Sequence, residues 1–217
     1  EELTSYYVKW AEKGEVISFD KWAIVIFAPV DDYYVPEWMT WKAPLIRDFT
    51  GYKEIDRQWQ GVTGMDVTPG GRIFAGWVSG GNGEPRADNF LVIVYSDDGG
   101  ETWNDLYIIP SSPVARVNDP EFWARPDGRL AIYYSQGKTG NSFDGKTGVW
   151  EILIDNPDDD PEDFVVLSQR RIFDGLLRNR PRALSDGTWI AAPNLFSDDD
   201  YTIVYASEDQ GETWQER

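Results

Sequence analysis

One segment occurs twice in the chain, as Ser96-Asp97-Asp98-Gly99-Gly100-Glu101-Thr102-Trp103 and as Ser207-Glu208-Asp209-Gln210-Gly211-Glu212-Thr213-Trp214. Both copies fit Ser-x-Asp-x-Gly-x-Thr-Trp. Each follows directly on a β-branched and aromatic run, Phe90-Leu91-Val92-Ile93-Val94-Tyr95 and Tyr201-Thr202-Ile203-Val204-Tyr205. The pattern has the chemistry of a hairpin clip. Asp98 and Asp209 can accept from turn amides, Gly100 and Gly211 can take a positive φ, and Trp103 and Trp214 are expected to bury the start of the returning strand. Two such clips commit the chain to repeated antiparallel strands.

The rest of the sequence agrees. Ala23-Ile24-Val25-Ile26-Phe27 and Leu130-Ala131-Ile132-Tyr133-Tyr134 are further short strand-forming runs bounded by turn residues. No stretch sustains a helical apolar period, so the expected fold class is all-β. A second repeat sets the architecture. Met65 to Ile73, with Pro69-Gly70-Gly71 at its turn, returns as Phe122 to Leu130 with Pro126-Asp127-Gly128, and again as Arg182 to Trp189 with Ser185-Asp186-Gly187. Each copy reads as strand, tight turn, strand. Gly71, Gly128 and Gly187 are 57 and 59 residues apart, slightly above the ~40–50 residues of common propeller repeats. That period suits a β-propeller of four-stranded blades with long loops, against the competing arrangement of unrelated hairpins in a sandwich.

Composition removes whole classes of chemistry. With no His and no Cys in 217 residues, a His-based triad, a Cys nucleophile, a His- or Cys-ligated zinc and a disulfide framework are all impossible. A net charge of -18 would repel nucleic acid and anionic membranes, and no apolar run reaches the length of a membrane span. No cofactor or metal is called for. The acidic runs at 155–163 and 198–200 could bind calcium through clustered oxygens, but they read better as solvated turns that protect sheet edges.

The two clips resemble the Asp box, the repeat of the sialidase superfamily, whose members are β-propellers, usually six-bladed. The resemblance covers about residues 57–217. In that family the Asp box is a scaffold element away from the active site. It implies about three blades over 61–217, starting near Gly61, Val114 and Leu177, with Asp boxes at 96–103 and 207–214. Residues 1–60 would then hold strands of a preceding or closing blade. Because the family's fourth strand follows the Asp box, the chain is expected to be cut in mid-blade.

Propeller sites gather at one end of the central channel, where three clusters map. The first is the loop from Ser79 to Asn89, in which the family resemblance implies a general acid; Glu84 and Asp88 are the candidates, with Arg86 beside them. The second is Arg116-Val117-Asn118-Asp119-Pro120-Glu121, where strand alternation would aim Asp119 and Glu121 the same way. The third is Arg178-Asn179-Arg180-Pro181-Arg182, with Gln60 at the corresponding start of the first blade. The expected catalytic residues are therefore Asp88, Glu84, Asp119 and Glu121, and the expected substrate-binding residues Arg86, Gln60, Arg178 and Arg180.

The chain departs from the family at Gly61-Val62-Thr63, which stands where sialidases carry the first arginine of their carboxylate clamp. A second family arginine is missing near Trp77-Val78-Ser79. Neither Gln60 nor Thr63 can supply a guanidinium's charge, which argues against sialic acid as substrate. The expected function is a sialidase-like glycoside hydrolase of extracellular glycans or polysaccharides, secreted or periplasmic, working by carboxylate acid/base catalysis. The alternatives are a polysaccharide lyase on the same propeller and a non-catalytic glycan-binding propeller.

Overall fold

The computed structural model describes residues 16–19, 22–25, 35–53, 57–140, 146–195 and 202–217. The chain divides into two units, Glu1–Pro36 and Glu37–Arg217. In the first, strands β1 (Val16–Phe19) and β2 (Trp22–Val25) pair antiparallel, with Val16 opposite Val25. Of the run expected as a strand at 23–27, residues 26 and 27 lie outside the described residues.

The second unit carries three four-stranded antiparallel sheets, each a meander in sequence order. The first comprises β3 (Gln60–Val67), β4 (Ile73–Ser79), β5 (Phe90–Ser96) and β6 (Asn104–Pro110). The second comprises β7 (Ala115–Ala124), β8 (Leu130–Lys138), β9 (Gly148–Ile154) and β10 (Val166–Asp174). The third is shorter: β11 (Arg182–Ala183), β12 (Trp189–Ala191), β13 (Tyr205–Ser207) and β14 (Gln215–Glu216). Strand was expected from Tyr201, but β13 begins at Tyr205; Thr202 makes only an isolated bridge to Asn194, and 196–201 lie outside the described residues. Among the described residues helix is confined to single turns such as Glu37–Thr40 and Thr50–Lys53, and none of these is long and apolar enough to cross a membrane.

Apolar faces join the sheets. Phe74, Leu91 and Ile93 of the first share a buried cluster with Phe122, Ile132 and Tyr134 of the second. Trp123 of the second meets Trp189 of the third edge-on at 4.5 Å. Consecutive four-stranded meanders stacked face to face are blades of a β-propeller. Short stretches outside the blades close gaps between them. Gln136 Nε2 donates to the carbonyls of Trp38 and Trp41 at 2.8 and 2.7 Å, and Ile46 exchanges backbone hydrogen bonds with Ile108 of β6.

The repeated hairpin is the same in each blade. Val67 pairs with Ile73, Ala124 with Leu130 and Ala183 with Trp189. Gly71, Gly128 and Gly187 stand at φ of 94°, 88° and 90°, the left-handed region that a residue with a Cβ enters only at a cost. Their amides donate to the Thr68, Arg125 and Leu184 carbonyls. This shared register gives a common count for the inner strands. Five residues before the closing residue of each hairpin stand Val62, Asp119 and Arg178; three before stand Gly64, Glu121 and Arg180.

The clips also match. Asp98 Oδ1 accepts from Ser96 Oγ and Thr102 N, and Oδ2 accepts from Thr102 Oγ1; Asp209 does the same with Ser207 and Thr213. These donors hold both carboxyls down at about 2. The tryptophans differ from expectation. Trp214 is half-buried, edge-on to Phe173 at 5.4 Å, whereas Trp103 is 45% exposed. The third blade's clip leans on the second blade's outer strand. The first blade's Trp103 lies beside Gly100. The acidic run at 155–163 proves to be a brace: Asp158 Oδ2 accepts from Gly70 N at 3.0 Å and Pro157 O from Arg72 Nη1 at 3.0 Å, tying the second blade to the first blade's hairpin.

Candidate functional site

The inner strand of the second blade is interrupted where its chemistry lies. Asn118 pairs with Ser135 and Glu121 with Tyr133, so Asp119 and Pro120 together face Tyr134. Pro120 has no amide to give to the ladder, and the strand bulges there. Asp119 stands at φ 51°, a sparsely populated conformation for a residue with a side chain. The alternation that was expected to aim Asp119 and Glu121 alike is therefore broken. The bulge, not the pleat, sets their relation. The first blade has a bulge at the equivalent position, with Val62 at φ 39°. The two inner strands meet closely at this level: a Cβ on Gly64 would come within 2.2 Å of the Pro120 carbonyl oxygen, so only glycine fits.

Asp119 is 2% exposed. Its Oδ2 accepts from Asn118 Nδ2 at 2.8 Å, and Arg178 Nη1 lies 3.4 Å from Oδ1. Burial pushes its pKa up, as does the charge of Glu84, while Arg178, Arg116 and Asn118 pull it down. Glu121 is half-buried. Burial, with the Asp119 charge second, raises its pKa to about 7 against a smaller opposing effect of Arg178. Glu121 thus carries a proton over part of the neutral range and can donate it; Asp119 is raised overall by its burial, with the Arg178 charge the largest effect that favours its anion.

The structure places the other expected residues as follows. Glu84 is exposed on the loop between β4 and β5, within electrostatic reach of Asp119. Arg86 and Asp88 bind each other on that loop, Nε to Oδ1 at 2.7 Å; the guanidinium holds the Asp88 carboxyl below the usual carboxylate range, the direction opposite to that of an acid catalyst. Gln60 Oε1 accepts from Trp77 Nε1 at 2.8 Å. Arg180 forms an ion pair with Asp66. Asp119, Glu121, Arg178 and Glu84 therefore come together, while Arg86, Asp88, Gln60 and Arg180 are engaged with other partners.

Sequence reasoning missed Asp66 and Asn89. Asp66 Oδ2 also accepts from Ala124 N at 2.8 Å, so one carboxylate of the first blade serves both following blades. Asn89 is buried and staples the Glu84 loop: its Nδ2 donates to the Gly80 and Gly83 carbonyls at 2.9 and 3.0 Å, and its Oδ1 accepts from Arg86 N at 2.8 Å. Among the described residues no group of three or more acidic side chains is placed to hold a metal ion.

No family model matches the chain, and no curated protein does. Among solved structures it is similar to the Hadza microbial sialidase Hz136, at 18% identity and a TM-score of 0.54, over 73% of this chain and 37% of that one. It is also similar to a family 117 glycoside hydrolase of the marine bacterium Zobellia galactanivorans, at 13% identity and a TM-score of 0.52, over 81% and 60%. A protein of unknown function from Dyadobacter fermentans matches at 15% identity and a TM-score of 0.50, over 75% and 55%. The chain spans from 37% to 60% of the length of these structures. The likeness establishes the fold, part of a β-propeller.

Proposed function

We propose that the protein is a sialidase-like glycoside hydrolase that cleaves extracellular glycans or polysaccharides by carboxylate acid/base catalysis. The observation that carries this reading is the unequal pair on the bulged inner strand. Glu121, with its carboxyl raised to about 7, is the general acid that protonates the departing glycosidic oxygen. Asp119, 3.4 Å from the Arg178 guanidinium, is the anion that faces the positive charge developing on the sugar ring. Glu84, exposed on its loop, is the further carboxylate within reach of a water. A sialidase and a family 117 glycoside hydrolase among proteins of this build support a glycan substrate.

The charge inventory bears on which glycan. Arg86, Arg178 and Arg180 each face a carboxylate of the protein, Asp88, Asp119 and Asp66. An arginine already compensated in this way is a poor clamp for a substrate carboxylate, because binding would break an existing ion pair. An uncharged sugar is therefore the favoured substrate over sialic acid or a uronate.

The test is to incubate the protein with neutral, sialylated and uronate-containing glycans in heavy-oxygen water and weigh the products. Release of a neutral sugar carrying one heavy oxygen, abolished in Glu121→Gln, is expected. Unsaturated products that form without gaining water would make the protein a lyase, and binding without turnover across the whole panel would make it a glycan-binding propeller.

A further inference from the structure

We infer that Arg178 is a positioning residue for the acid pair: reaching from the start of the third blade to the buried carboxylate of Asp119 on the second, it fixes Asp119 as the anion and leaves the proton with Glu121. This deepens the glycosidase reading and rests on it only for the catalytic meaning of that proton.

Geometry carries the inference. Asp119 lies in β7 five residues before the residue that closes its hairpin, and Arg178 stands at the same count in the bend that leads into β11. The lead-in to the third blade and the inner strand of the second thus bring opposite charges together. The pair is lopsided in burial: the Asp119 side chain is 2% exposed and the Arg178 side chain 47%. A carboxylate so nearly withdrawn from water needs a counter-charge to stay ionised. A guanidinium still open to solvent supplies one with little desolvation of its own.

Asp119 is faced by Arg178 from the third blade, by Glu84 from the loop of the first, and by Arg116 and Asn118 from its own strand. Glu121 is faced by Asp119 and Arg178. Arg178 acts more strongly on Asp119 than Arg116 does, and it acts on both carboxyls. Burial and the charge of Glu84 oppose ionisation of Asp119. With Arg178 in place, a cation opposes the effect of burial on Asp119 and, more weakly than burial acts, that on Glu121. Without it, burial and the neighbouring acids draw both protons to higher pH, and the difference between donor and anion blurs at neutrality. Because the arginine belongs to another blade, the docking of blades is coupled to the protonation of the site.

Carboxyl ¹³C NMR titration of protein labelled at Asp and Glu reads both groups whether or not any sugar is cleaved, with signals assigned through Asp119→Asn and Glu121→Gln. In Arg178→Met both midpoints should rise, by about one unit or more, and in Arg178→Lys they should stay within about half a unit of the parent, since an opposite charge in this range lowers a carboxyl pKa by roughly 1–3 units. Unchanged midpoints in folded Arg178→Met would overturn the inference. Should that variant not fold, Asp119→Asn decides: loss of the anion, with Arg178 left uncompensated, should drop the Glu121 midpoint by about one unit, and an unmoved midpoint would sink the proposed coupling. Shifted midpoints in a protein that hydrolyses no glycan would leave Arg178 in this role and discard the glycosidase.

Discussion

Glu121 and Gly64 show how much rests on single positions of the inner strands. Glu121 owes its proton to partial burial and to the charge of Asp119 two residues earlier. Glu121→Gln keeps the shape and removes the proton, so kcat/KM should fall at least ~100-fold, the lower end of what general acid catalysis supplies, while glycan binding persists. Turnover that survives the change would remove Glu121 from the mechanism. Gly64 works by having no side chain. A Cβ there meets a backbone oxygen, the Pro120 carbonyl, which cannot swing aside as a side chain would. Gly64→Ala should therefore cost about 1–3 kcal/mol, the range of overpacked sites, and should cut activity further by displacing the bulge under Asp119. A melting temperature equal to the parent's would contradict that packing. That Asp119 and Glu121 share one inner strand was legible in the sequence. The bulge was legible only through Pro120, and Gly64 not at all, since its constraint comes from a strand more than fifty residues away.

Among the elements, hairpins and clips were the readable part, because each is closed by contacts within a few residues. Asp98 and Asp209 bind groups at most four residues away, so the motif specifies its own geometry. What joins one blade to the next could not be read that way. Glu151 on β9 is the example: its side chain is wholly buried, with Arg170 Nη2 at 3.4 Å and Arg125 Nη1 at 3.7 Å. The same arginines reach the third blade's clip, where Arg170 donates to the Gly211 and Glu212 carbonyls and Arg125 to that of Gln210. In the sequence Glu151 is one acid among 38. Trp103 was misjudged for a related reason, since burial of the clip's tryptophan depends on what the adjoining blade brings to it. Glu151→Leu leaves two guanidinium groups facing an apolar side chain, and breaking a buried pair in this way typically costs about 3 kcal/mol or more. Chemical denaturation should show that loss, whereas Asp97→Ala, at the exposed partner of Arg72, should cost about 1 kcal/mol or less. Equal effects of the two changes would mean that the buried cluster contributes no more than a surface pair.

For the whole molecule the controlling quantity is its charge of -18, and the site and the clips set the pH at which that charge is best tolerated. Burial raises the Glu121 carboxyl from 4.5 to about 7 and moves Asp119 and Glu151 in the same direction. A carboxyl raised on folding binds its proton more tightly in the native state. Its contribution is fully present below the unfolded value and is lost as pH rises through the folded one. Asp98 and Asp209 behave oppositely: lowered from 3.8 to about 2, they stabilise the fold above 3.8 and lose that contribution as pH falls toward 2. The two sets act together most fully just above pH 4, and the contribution of Glu121 then falls away as pH rises toward 7. Relief of repulsion among the remaining carboxylates favours the acid side as well. The melting temperature should therefore be higher at about pH 5 than at about pH 8, with a gap that narrows in ~0.5 M salt as repulsion is screened. Glu121→Gln should flatten the slope near pH 7, because its neutral amide has no proton to lose. A melting temperature that climbs from pH 5 to pH 8 would mean that paired anions, rather than raised carboxyls and excess charge, govern the stability of these blades.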